Sequence, residues 1–165
     1  MLLIRHSICE GDLSLDPGIT SAGFELIRNK ANKIIKRNIR LILHSPKRRA
    51  VETASLFYDL TKANIMLCVD ELREIHPFVL SDNKSTVHPD YFRAESVILN
   101  HIMPNLNDSR VIIVSHRNLL NFVLRYIGYC KSIDLFRNPC TIIDINEDIV
   151  GGGHGKTKRS IIPFF

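Results

Sequence analysis

The stretch "LLIRHSICEGD", Leu2–Asp12, decides the fold. Its apolar run ends abruptly in Arg5 and His6, two polar groups that the middle of a buried strand does not tolerate. A core strand ordinarily fades into turn residues. A strand that stops in a guanidinium and an imidazole acts as a handle, carrying both side chains to the rim of a sheet, where an anion can meet them.

Outward from this stretch, short β-branched runs alternate with longer segments of helical period. "LLI" at 2–4, "IRLILH" at 39–44, "IMLCV" at 65–69, "RVIIVSH" at 110–116 and "TIIDI" at 141–145 read as strands buried on both faces. Helical patterns fill 20–37, 45–60, 89–103 and 118–128, the first with Phe24, Ile27, Ala31, Ile34 and Ile35 on one face. This order predicts a single α/β domain over 1–165, a three-layer α/β/α sandwich on a mostly parallel sheet. Thr20 is placed to cap the first long helix, and Ser45 with Pro46 reads as an N-cap and first-turn proline for the second. Gly128 reads as the end of the fourth. The segment "GGGHGKTKR" at 151–159 reads as a flexible basic loop. Gly155, Lys156 and Thr157 imitate the end of a P-loop, but its first glycine falls at Val150 and no helical pattern follows, so that reading fails.

Composition narrows the function classes. The 165 residues are 45% hydrophobic and 24% charged, which is a globular balance, and no apolar run approaches the ~20 residues of a membrane span. Only "MLLI" precedes Arg5, too little for a signal-peptide core, so a cytoplasmic location and reduced thiols are expected. Cys9, Cys68, Cys130 and Cys140 form no C-x-x-C pair and no zinc spacing, so no metal is expected. The net charge of +5 favours an anionic partner. Much of that charge, at Lys30, Lys33, Lys36, Arg37 and Arg40, reads as the solvated surface near one helix. No nucleic-acid reading module or stacking platform accompanies it, so neither nucleic acid nor membrane is an expected partner.

Ligands of open α/β sheets bind beyond the carboxyl ends of the strands. There the first strand delivers Arg5 and His6, and the second delivers Ser45 at the mouth of a helix bearing Arg48 and Arg49. The third leads to Glu71 and Glu74, and the fourth ends in Ser115 and His116. Such a cluster of cations repels itself unless an anion neutralises it.

These motifs, in this order, resemble the histidine phosphatase superfamily, whose fold is called phosphoglycerate-mutase-like. "IRHS" at 4–7 is similar to its "RHG", "ITSAG" at 19–23 to its "T-x-x-G" helix start, "SPKRRAVETA" at 45–54 to its "SP-x-x-RA-x-x-TA", and "VIIVSHRNLL" at 111–120 to its later "SH" strand end. The resemblance extends to about Gly128. It implies that His6 is the nucleophile, that Arg5, Arg49 and His116 form the phosphate pocket, and that no cofactor is needed. It also selects Arg49 over Arg48 for the clamp. Within "ELREI" at 71–75 it places a general acid, Glu74, with Glu71 as runner-up.

The chemistry is consistent with these residue types. A phosphoryl group in transit is stabilised by positioned charge, arginine offers a fork matched to its oxygens, and a neutral imidazole attacks phosphorus. Backbone N–H groups of the helix near Pro46 are expected to add to the site. Ser7 and Arg117 replace the small residues of "RHG" and "SHG"; Ser7, Ser45 and Arg117 are therefore candidate substrate contacts. The short stretch between Glu74 and Arg110 looks most like the compact bacterial phosphohistidine phosphatases, whose phosphoramidate leaving group needs no strict acid. The expected activity is metal-independent hydrolysis of a phosphomonoester or phosphohistidine, on a small molecule or a phosphoprotein. The alternatives are a non-catalytic phosphate-binding module and a phosphoglycerate-mutase-type phosphotransferase.

Overall fold

The structure, a computed structural model, describes residues 1–77, 88–129 and 134–146; Cys130, the basic segment 151–159 and the closing "SIIPFF" lie outside the described residues. The strands are β1 (Leu2–Arg5), β2 (Leu41–His44), β3 (Ile65–Cys68), β4 (Val111–Ser115) and β5 (Ile142–Asp144), and the helices are α1 (Ser21–Ala31), α2 (Arg48–Thr61), α3 (Pro89–Val97) and α4 (Arg117–Tyr126). One sheet holds all five strands in the order β3-β2-β4-β1-β5. The first four are mutually parallel, and β5 runs antiparallel beside β1. This is the mostly parallel sheet that the alternating pattern predicts.

Burial follows from that order. β4 lies near the middle of the sheet and every residue of its "VIIVS" is buried. One face presents Leu3, Leu43, Val111 and Ile113 to Ala94 and Val97 of α3 and to Leu119, Leu120 and Val123 of α4. The other presents Leu2, Ile4, Ile42, Ile112 and Val114 to Ile27 and Ala31 of α1 and to Ala50, Ala54 and Phe57 of α2. Helices thus cover both faces of the sheet, which gives the three layers.

Local chemistry sets the element ends, in part against expectation. Thr20 caps α1, its Oγ1 accepting from Gly23 N at 3.1 Å. Gly128, at φ +72°, follows the last turn of α4 as expected. α1 stops at Ala31 rather than reaching 37. Its buried stripe is Gly23, Ile27 and Ala31, so Phe24 lies one residue round and is 39% exposed. Ile35 has left the helix for a 3₁₀ turn and is 42% exposed. α2 begins at Arg48, not at Pro46, because the chain bends at Pro46 and Lys47, and Lys47, with extended backbone angles, occupies the capping position. α3 passes at its end into a π turn, Ile98–Ile102. The expectation that every strand is buried on both faces fails at β3, which is a sheet edge with Ile65 and Leu67 each half exposed.

Candidate active site

Strand register brings the two histidines together. Arg5 pairs with Ser115 across the parallel β1–β4 ladder, and His6 N donates to Ser115 O at 2.9 Å, so His6 and His116 follow side by side. On the far side of β4, Ser45 N donates to Val114 O at 3.1 Å. Ser45, His116 and His6 therefore stand in a row along the carboxyl edge of β2, β4 and β1. The two imidazole centroids are 5.1 Å apart, with the rings inclined by 59°.

Hydrogen bonds fix both tautomers. His6 Nδ1 lies 2.8 Å from Ser7 O, and since a carbonyl only accepts, Nδ1 carries the proton and Nε2 keeps its lone pair. Arg49 Nε donates to that Nε2 at 3.3 Å, while its Nη2 faces His116 Nδ1 at 3.4 Å. His116 Nε2 then donates to Ser45 Oγ at 2.8 Å. Arg49 is buried and bridges both rings, and its Nη1 meets Asp16 Oδ1 at 3.3 Å. Arg5 donates through Nη1 to Phe136 O at 3.0 Å and to Arg137 O, and its buried Nε has no partner among the described residues.

Burial, followed by the charges of Arg49 and Arg5, outweighs the hydrogen bond to Ser7 O and lowers the His6 pKa to about 4. Burial first, then His6 and Arg49, drives His116 still lower. Both rings are neutral at pH 7, so the positive potential comes from guanidinium groups. A stability prediction follows. Because the folded pKa of His6 is depressed from 6.5, unfolded chains bind its proton first; the stability is full above pH 6.5 and is lost as the pH falls toward 4, by about 3 kcal/mol. Urea midpoints of wild type and His6→Asn, taken from pH 7 to pH 4.5, are expected to converge on acidification.

The remaining candidates divide. Glu74 Oε1 accepts from the backbone N–H groups of Asn118 at 3.1 Å, Leu119 at 3.2 Å and Ile75 at 3.1 Å, so this carboxylate caps α4 directly after His116. Burial raises its pKa against those three donors and the Arg49 charge. Glu71 offers its backbone carbonyl to Arg93 of α3. Ser45 accepts from His116 and from Lys47 N at 3.3 Å, which makes it a support for His116 rather than a substrate contact. Ser7 corrects the expectation of a substrate contact more strongly: it is fully buried, and its hydroxyl donates to Gly23 O at 2.8 Å, toward α1. Arg117 stands half exposed at the start of α4, paired with Asp134. Arg48 is surface charge, 2.7 Å from Glu52.

The helix start near Pro46 does not offer its N–H groups as expected. Asp16 takes Arg48 N through both carboxylate oxygens, at 3.2 and 3.1 Å. The first turns of α2 and α4 are thus both capped by carboxylates. Asp16 escaped the sequence reading; its signal was the turn sequence "DPG" at 16–18, where Asp16 adopts φ 51°. Thr53 escaped it as well. Its Oγ1 accepts from Ser7 N at 3.0 Å and donates to Arg49 O at 2.7 Å, tying the end of β1 to the clamp. Gly23 shows why the "T-x-x-G" glycine is required, since a Cβ there would lie 2.7 Å from Ile8 O. Among the described residues, no group of three or more His, Cys, Asp or Glu side chains is placed to hold a metal, and no helix is long and apolar enough to cross a membrane.

No protein-family model and no curated protein matches the chain by sequence. Solved structures match it by shape. A mycobacterial glucosyl-3-phosphoglycerate phosphatase superimposes with a TM-score of 0.57 at 19% identity, over 78% of this chain and 79% of that one. A phosphoglycerate mutase from Plasmodium falciparum gives 0.56 at 17% identity, over 86% and 82%. The protein histidine phosphatase SixA, complexed with tungstate, gives 0.53 at 20% identity, over 76% and 74%. The fold is therefore phosphoglycerate-mutase-like.

Proposed function

We propose that this protein is a phosphohydrolase that passes a phosphoryl group through His6. The observation that carries the reading is the unprotonated Nε2 of His6, which faces the Arg49 guanidinium on a ring whose centroid lies 5.1 Å from that of His116. A phosphate seated between these groups displaces the long contacts of Arg49 with the two rings and receives the fork instead. The Nε2 atom attacks phosphorus, the bond from phosphorus to the leaving oxygen or nitrogen breaks, and that atom takes a proton. Water then attacks phosphohistidine and gives its proton to the carboxylate left by the first step; the N–P bond breaks, phosphate leaves, and the Nε2 lone pair is restored. Arg5 and Arg49 stabilise the charge spread over the equatorial oxygens, the work a metal does elsewhere.

Glu74 is the proposed proton donor. Burial favours its acid form, and its second oxygen is free of the helix cap. With a phosphohistidine substrate the leaving nitrogen reduces the demand on this acid. With a phosphomonoester of high leaving-group pKa, Glu74→Gln is the variant that exposes it.

One observation favours a phosphate-binding module without turnover. Arg49 Nε occupies the His6 lone pair and so competes with attack. Trapping separates the two readings. In chelator, a rapidly quenched reaction with a labelled aryl phosphate is expected to yield one acid-labile, alkali-stable phosphoryl group per chain, and a substrate panel of phosphohistidine, phosphoserine peptides and small phosphomonoesters then ranks the substrates. Stoichiometric vanadate binding without any trapped phosphoenzyme would instead establish the binding module. Retention of the phosphoryl group until a second acceptor returns it would mark the mutase-type phosphotransferase.

A further inference from the structure

We propose that Asp134 is a positioning residue for Arg5: it pins the turn 134–137 to α4, and two carbonyls of that turn hold the guanidinium with its fork free for a phosphate. The inference rests on the reading of Arg5 as a phosphate ligand and names what keeps that ligand in place.

Arg5 is tied down at one nitrogen. Its Nη1 donates to Phe136 O at 3.0 Å and to Arg137 O, which uses both hydrogens of that nitrogen. Nε is buried without a partner, and Nη2 makes no hydrogen bond to a described residue. In a guanidinium, Nε–H and the adjacent N–H of Nη2 point the same way and form the fork that meets two oxygens of one anion. The protein therefore holds the one nitrogen that the fork does not need.

The turn that holds Arg5 has its own anchors. Asp134 Oδ1 accepts from Asn121 Nδ2 at 2.7 Å, and Asp134 Oδ2 accepts from Arg117. Arg117 and Asn121 stand four apart on α4, so they share one face and grip the carboxylate together. The Asn121 bond matters more, because Asn121 is buried whereas Arg117 is half exposed and its ion pair is screened by water. Asn121 Oδ1 is buried without a partner among the described residues, so this amide is kept in the core for its single bond to Asp134. Phe136, fully buried with Leu119, Leu120 and Val123 of α4, fixes the depth of the turn. Apolar contact has no direction, and the two bonds to Asp134 supply it. Asp134 also acts through its charge. Burial and then the Arg117 charge lower the Arg5 pKa, and the Glu74 and Asp134 carboxylates oppose them.

The test uses the full chain. Asp134→Ala is expected to lower kcat/KM for an aryl phosphate, and to weaken vanadate binding, about 10–10²-fold, the scale of a small misplacement at a reaction centre. Asp134→Asn keeps an acceptor for Asn121 and is expected to recover most of both. In an Arg5→Ala background, Asp134→Ala should add less than about twofold, since a residue that acts through Arg5 has nothing left to position. The Arg5 Nε–H resonance, assigned by its loss in Arg5→Ala, reads the geometry in ligand-free protein. It is expected to be sharp and slowly exchanging in wild type and in Asp134→Asn, and broadened in Asp134→Ala. Wild-type activity in Asp134→Ala, or the same proportional loss in the Arg5→Ala background, overturns the proposal. A wild type that neither turns over substrate nor binds vanadate refutes the phosphohydrolase reading instead. The resonance then decides alone, and one that is unchanged in Asp134→Ala overturns the positioning role.

Discussion

Replacing His6 with alanine is expected to lower the turnover of an aryl phosphate at least about 10⁴-fold, because a two-step path cannot begin without its nucleophile. The neighbouring ring is not a substitute. His116 already donates through Nε2 to Ser45 and presents Nδ1 to Arg49. The variant should still bind vanadate, since Arg5, Arg49 and His116 remain in place. Steady-state turnover in chelator, with vanadate affinity measured beside it, makes the comparison. Activity within tenfold of wild type would take the nucleophilic role away from His6.

Arg49→Ala is expected to cost about 10²–10³ in turnover, the scale of losing one preorganised charge contact at a transition state. Arg49→Lys should recover little. The guanidinium reaches His6, His116 and Asp16 through three different nitrogens, and a single ammonium cannot reproduce that fork. A second readout separates charge from packing. Because Arg49 helps lower both imidazole pKa values, its removal as alanine should shift the acid limb of kcat/KM upward, whereas the lysine variant should hold it closer to wild type. An unmoved limb in Arg49→Ala would show that burial alone sets the nucleophile's ionisation.

Much of this arrangement is legible in the sequence, and the reason is topological. Strands of a parallel sheet all point the same way, so the residue ending each β-branched run must reach the same edge. Arg5, His6, Ser45, Ser115 and His116 could be assigned to one rim without any coordinates. What stayed hidden depends on distances between segments far apart in the chain. The capping of α2 by Asp16 joins residues 32 apart, and that of α4 by Glu74 joins residues 44 and 45 apart. Ser45 and Pro46 form a local start signal that the structure overrides, because Ser45 Oγ is drawn to His116 and the first turn forms where Asp16 meets Arg48 N. Ser7 looked like a pocket group because "RHS" places it beside His6, yet its hydroxyl donates to Gly23 O of α1. The exposure of β3 was equally invisible, since an apolar run reads the same at the centre of a sheet and at its margin.

The pairing of Arg5 with Ser115 sets the gauge of the reaction centre. Two imidazoles mounted one residue past neighbouring rungs inherit the fixed interval between adjacent chains, ~4.8 Å, which hydrogen bonding imposes on every sheet. The gap is therefore ruled by the main chain and not by the interlocking of large side groups. Trimming the interior, as in Ile113→Val, should weaken the molecule while leaving the histidine spacing, and the per-molecule rate of whatever remains folded, as it was.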